Sequence, residues 1–257
     1  MQRSDCRQSG NSLKFHGFLF VWALIGALSA GGVPFSPAAG HAAEALIPEI
    51  IVIDPGHGGH DHGVQGPAGT LEKDVALHLA RILSAVLAPE YTAVLTRSGD
   101  YQLDNVKRAS AANYHRARLF IAIHTGGGFL HQMDRWSVFY YNKDEIQNQP
   151  PDSGPGAAAE HRAAAGIPWD HAQQAHEQES RDLAECIRSQ LAGHPEISEV
   201  HVAGAALRML QGIDRPAIAI EAGYLTNPET ENRLNDGEFL TDVARRIKRG
   251  IDVYLSR

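Results

Sequence analysis

The chain has 257 residues, 43% of them hydrophobic, with 30 acidic against 23 basic residues and a net charge of −7. That apolar content is enough for one sizeable core, and one domain is the expectation at this length. The acidic balance, without any basic cluster, excludes nucleic acid as an expected partner.

The chain opens on Arg3, Arg7 and Lys14 against the single acid Asp5, then runs through "FLFVWALIGALSA" at 18–30. This stretch has the length of a signal h-region and is short for a membrane span. Gly40-His41-Ala42 leaves small residues three and one before a cut, and a cut after Ala30 is the alternative. We expect a secretory signal and short linker over 1–43, export to the periplasm or extracellular space, and no membrane span after cleavage. A retained anchor is the competing reading, because 31–35 prolongs the weakly apolar stretch. Removing 1–43 takes three of the 23 basic and one of the 30 acidic residues, leaving 20 and 29, a net of −9. Cys6 leaves with the signal. Cys186 then stands alone, so no intrachain disulfide is expected, and "LAECIRSQL" places it in a buried helix.

From 44 to 257 the chain alternates two patterns. Short apolar runs recur at 50–53, 92–96, 119–123, 137–141, 200–204 and 217–221, with little polar interruption. Such runs suit strands buried on both faces. Between them lie amphipathic segments of helical spacing at 71–87, 177–193 and 238–255. For the first, Thr70 is the expected N-cap, and Glu72 and Asp74 sit where the helix dipole favours acids. The alternation predicts one α/β domain with a twisted, mostly parallel sheet of about six strands and helices on both faces. Residues 143–170, rich in Pro, Gly, Ala and Gln, break the rhythm as an insertion.

In open α/β sheets, ligands bind beyond the carboxyl ends of the strands. The polar residues that follow the apolar runs are Asp54 and His57, Arg97, His124 and Glu221, and Glu72 opens the next helix. Two histidines and a carboxylate match the three N/O ligands of a catalytic zinc, which keeps its fourth position open. A further carboxylate that is not a ligand can then serve as general base. Taken singly, each residue has an ordinary structural role. A carboxylate ending a run as apolar as "PAIAIEAG" must be paired or functional if buried.

The motif "IVIDPGHGGHDHGVQGPAGTLEKDVALHLARIL" at 51–83 resembles the zinc-dependent N-acetylmuramoyl-L-alanine amidases of the cell-separation type, the amidase type 3 family. "VLTRSGD" (94–100), "RASAANYHRARLFIAIH" (108–124) and "RPAIAIEAGYLTNPET" (215–230) resemble the later blocks of that family, in the same order. The resemblance implies His57, Glu72 and His124 as ligands of one zinc ion and Glu221 as the catalytic glutamate. It implies hydrolysis of the amide between N-acetylmuramic acid and L-alanine in peptidoglycan. The alternatives are a catalytically silent peptidoglycan-binding or regulatory protein on the same fold, and a zinc peptidase or deacetylase acting on another amide. In this family the loop carrying His60 and His62 varies around a common Asp, here Asp61, so both histidines are expected on the rim.

Two departures stand out. "IHTGGG" at 123–128 lacks the polar residue the family usually carries two positions after the histidine, which predicts an altered or unusually mobile groove wall. Some relatives carry an inhibitory helix where 143–170 lies, removed by an activator protein. Here Glu145, Glu160, His161 and Asp170 are candidates to approach the metal, and a plain surface loop is the alternative.

Overall fold

The computed structural model describes residues 49–129, 131–143 and 169–257. Residues 1–48 and the middle of the insertion, with Glu145, Glu160 and His161, lie outside the described residues, as does the side chain of Asp170.

Each of the six apolar runs forms a strand: β1 (Ile50–Pro55), β2 (Thr92–Leu95), β3 (Leu119–Gly126), β4 (Trp136–Tyr141), β5 (Val200–Ala205) and β6 (Ala217–Tyr224). They make one sheet in the order β2-β1-β3-β6-β4-β5. Four of the five pairings are parallel, and β4 runs antiparallel to β6. The sheet is therefore mixed but mostly parallel, as the alternating pattern predicts.

Successive side chains of a strand face opposite ways, and this sorts the core into two layers. Ile51, Ile53, Ile121, Ile123, Ile218 and Ile220 face one way, against α1 (Glu72–Leu87), α3 (Glu177–Leu191) and α5 (Gly237–Leu255). Val52, Phe120, Ala122, Ala217 and Ala219 face the other way, against α2 (Asn105–Tyr114) and the short 3-10 turn Arg208–Leu210. The branched side fills the gap beneath three helices. The alanine-rich side leaves room for a thinner layer.

Two elements escape the periodic pattern. Helix α2 buries only Arg108, Ala109 and Ala112, so its apolar stripe is too narrow to read, and Asp104 caps it by accepting from Lys107 N. Helix α4 (Pro228–Leu234) is seven residues long, starts on Pro at its first turn and is capped by Asn227. One expected detail is corrected. The N-cap of α1 is Leu71, with no side-chain cap. Thr70 instead donates its backbone N–H to Glu231 Oε1 at 2.9 Å.

Candidate metal centre

β1 delivers Asp54-Pro55-Gly56-His57 to the carboxyl edge of the sheet, where the chain turns sharply. His57 has φ +59°, a left-handed conformation uncommon for a residue with a side chain, and Gly58 and Gly59 follow at +124° and +61°. Buried cations hold this turn by its carbonyls. Arg97 donates to Pro55 O and Gly56 O, at 2.9 and 2.7 Å. Arg108 donates to Pro55 O and His57 O, at 2.8 and 2.9 Å, and pairs with Asp54 at 2.7 Å. Lys73 Nζ donates to Gly59 O at 2.9 Å and to Asp100 at 2.8 Å, while Asp100 accepts from Gly59 N at 2.7 Å. Arg97, which the sequence placed at the ligand edge, is fully buried scaffolding.

Helix α1 begins beside this turn and puts Glu72 under it, only 2% exposed. Glu72 Oε1 lies 3.1 Å from His57 Nε2 and 3.0 Å from His124 Nδ1, and accepts from Thr125 N at 2.9 Å. Its Oε2 accepts from Val64 N at 2.9 Å. One ligand atom from each of His57, Glu72 and His124 lies within 4.8 Å of the other two. Glycine is required close by. A Cβ on Gly56 would come within 2.2 Å of the His124 ring, and one on Gly63 within 2.5 Å of Glu72 Oε2. Two imidazoles and a carboxylate converging in this way fit a zinc-type ion with a position left open.

The charges are mutually tuned. Burial alone would raise the Glu72 carboxyl, but hydrogen bonds with His124 and His57 outweigh it and hold Glu72 well below the usual carboxylate range. His57 is pushed up, first by its hydrogen bond to Glu72, against the opposing pull of burial, with Asp61 adding to the rise. The Asp61 contact is geometric as well: His57 Nδ1 donates to Asp61 Oδ1 at 2.8 Å, which leaves Nε2 turned toward Glu72. Sequence reasoning gave Asp61 no task. Its spacing, four residues after a ligand in a tight loop, was the available signal. His60 and His62 are exposed and stand outside the cluster, as expected of rim residues.

Glu221 reaches the same place from β6, where it pairs in register with His124 of β3. It lines a cavity of about 310 Å³ with His57, Glu72, His124, Phe139 and Leu207. Burial pushes its carboxyl up and the Glu72 charge adds to this, while His124 and Arg135 oppose it.

The glycines of "IHTGGG" have a different physical reason from the one expected. None of Gly126, Gly127 and Gly128 has a positive φ. A Cβ on Gly127 would meet Val64 at 2.9 Å, and one on Gly126 would meet Gly223 O and the Tyr224 ring at 3.2 Å. Close packing, rather than freedom of the backbone, favours glycine at 126 and 127, while a Cβ on Gly128 would make only ordinary contacts.

A family model described as N-acetylmuramoyl-L-alanine amidase, Amidase_3, matches residues 51–253. The chain belongs to this amidase family. It is 28% identical over 222 residues to N-acetylmuramoyl-L-alanine amidase AmiC of Escherichia coli O6:H1, a match covering 81% of this chain and 53% of that protein. It is 28% identical over 218 residues to AmiA of Escherichia coli K12, covering 80% of this chain and 75% of AmiA. The chain thus spans about half the length of the AmiC relative. Among solved amidases, AmiC2 of Nostoc punctiforme superposes with a TM-score of 0.62 at 28% identity, over 81% of this chain and 98% of that one. These amidases share the α/β architecture.

Proposed function

We propose that this chain is a zinc-dependent N-acetylmuramoyl-L-alanine amidase. It hydrolyses the amide between the lactyl group of N-acetylmuramic acid and L-alanine in peptidoglycan, in wall remodelling or daughter-cell separation. The observation that carries this reading is the meeting of His57, Glu72 and His124 within 4.8 Å, in a chain of the amidase family. Those three residues hold the zinc ion. When bound, zinc supplies Lewis acidity, acidifying water and polarising a carbonyl.

The chain's own residues do the rest. Glu221, held half-buried with a raised proton affinity, takes the proton of the attacking water and passes it to the departing alanine nitrogen. The products are the muramic carboxylic acid and a stem peptide with a free amine. Asp61 fixes the tautomer and orientation of His57. The buried cations beneath the His57 turn keep its strained backbone in place.

The silent, wall-binding alternative rests on the departure at 123–128 and on the insertion. Tight packing at Gly126 and Gly127 gives two of those glycines a structural reason, which weakens the first ground. The reading includes export through a signal at 1–43, a catalytic domain over 44–257, and an activator protein acting on the 143–170 insertion.

The test is to incubate the purified protein with peptidoglycan and measure stem peptides released with a free L-alanine amine. Release should stop with chelator and return with zinc. Release that survives Glu221→Ala would overturn the mechanism. Deleting 144–168 should raise release if the insertion restrains the enzyme, and no gain would remove the activator from the reading.

A further inference from the structure

Arg135 sits one residue ahead of β4. Its neighbour Asp134 is already engaged, pairing with Arg233 at 2.7 Å and accepting from Thr230 Oγ1 at 3.0 Å. Among the described residues Arg135 has no carboxylate partner. Its Nε is buried and finds no acceptor. Its one hydrogen bond is a long one, from Nη2 to Tyr224 Oη at 3.4 Å. Arg97 and Arg108 behave differently, spending their donors on carbonyls or on Asp54. A half-buried guanidinium that no described carboxylate contacts is costly, and all the more conspicuous where acids outnumber bases.

The sheet says where this cation lies. Ser137 of β4 stands opposite Glu221 of β6 in the antiparallel pair. Arg135 enters β4 from this end of the pair, two residues before Ser137. Its guanidinium reaches the hydroxyl of Tyr224, three residues after Glu221 on β6, and its charge is felt at the Glu221 carboxyl.

We propose that Arg135 binds a free carboxylate of the stem peptide and so positions the departing peptide beside Glu221. This rests on the amidase reading above. The lactyl carboxyl of the muramic acid is spent in the scissile amide, so the sugar offers no free carboxylate next to the bond. The peptide does, at an acidic residue after alanine. The planar fork of arginine suits a carboxylate, which can take two parallel hydrogen bonds. The protein supplies the cation and the substrate supplies the missing anion.

The test compares two N-acetylmuramoyl dipeptides of L-alanine and a glutamyl residue whose γ-carboxyl is blocked as an amide, one with the α-carboxylate free and one with it converted to carboxamide. The zinc-loaded enzyme should prefer the acid by about 10–100-fold in kcat/KM, chiefly through KM. Arg135→Gln should abolish the preference, bringing the two substrates within about threefold of each other, and Arg135→Lys should restore part of it. A preference that survives Arg135→Gln overturns the proposal, whatever the general fall in rate from the changed charge beside Glu221. Calorimetric binding of the two released dipeptides provides a readout independent of turnover. If wild type cleaves neither substrate, the amidase reading fails, and the acid-over-amide binding preference and its loss in Arg135→Gln still decide the role of Arg135.

Discussion

Glu72 shows how one side chain organises the site. Its two oxygens meet both histidines and two backbone N–H groups, so its position is fixed before any ion binds. Asp61 does the same for His57 from the opposite side of the ring. Asp61→Ala should therefore weaken zinc binding by about 10–100-fold, measured by chelator competition, while substitution of the exposed His60 or His62 should leave it unchanged. Glu221→Ala should lower turnover by about 10²–10⁴-fold and leave bound zinc at wild-type stoichiometry. Loss of zinc in that variant would make Glu221 a ligand. At this scale the sequence read well for residues that end apolar runs, because a polar group leaving a buried strand needs a reason. It read poorly for Asp61 and Arg135, whose partners are set by a turn and by a strand register.

Among the elements, α4 has an unexpected part in the site. Glu231 of this short helix accepts from Ala68 N at 2.8 Å and Thr70 N at 2.9 Å, pinning the loop that leads into Glu72. A Cβ on Gly66 would strike that carboxylate at 2.3 Å, so the loop closes on it tightly. Burial pushes the Glu231 carboxyl up, but the N–H groups of Ala68 and Thr70 outweigh this and hold it below its ordinary value. A carboxyl with a lowered folded pKa contributes stability that is present above the unfolded value, about 4.3. That contribution fades as pH falls through the lower folded value, where both states become protonated. Glu231→Gln should cost about 1–3 kcal/mol at neutral pH. In urea unfolding the gap between variant and wild type should narrow under acid conditions, and a gap constant with pH would contradict the assigned charge. Helix α4 was illegible in the sequence because seven residues are too few to show a period. The long helices α1, α3 and α5 were legible because each buries a wide apolar stripe.

For the molecule as a whole, the candidate ligands come from the end of β1, the start of α1 and the end of β3. An ion there would tie three elements together and bind the folded state alone. At a free zinc concentration 1,000 times the dissociation constant, this linkage is worth about 4.1 kcal/mol. Scanning calorimetry should show a clear fall in Tm on chelation and its recovery with zinc. An unchanged Tm would mean that the three residues do not hold an ion. The asymmetry of the sheet bears on the site as well. The isoleucine face lies beneath three helices, while the cavity at Glu221 includes Phe139, Leu207 and Ala219 of the thinner, alanine-rich side.

The sequence by itself determined the six strands, the three long helices and the α/β class, because hydrophobic periodicity is a local property that short windows carry. It also determined which residues leave the strands at the carboxyl edge, and the motifs that mark the family. Only the tertiary structure decided that β3 and β6 are neighbours, so that His124 and Glu221 stand side by side though 97 positions separate them. Only it assigned Arg97, Arg108 and Lys73 to hold the carbonyls of a strained turn and left Arg135 without a carboxylate in contact among the described residues. The reason is physical: strand order and hydrogen-bond partners follow from packing distant segments together, and no local pattern records which segments will meet.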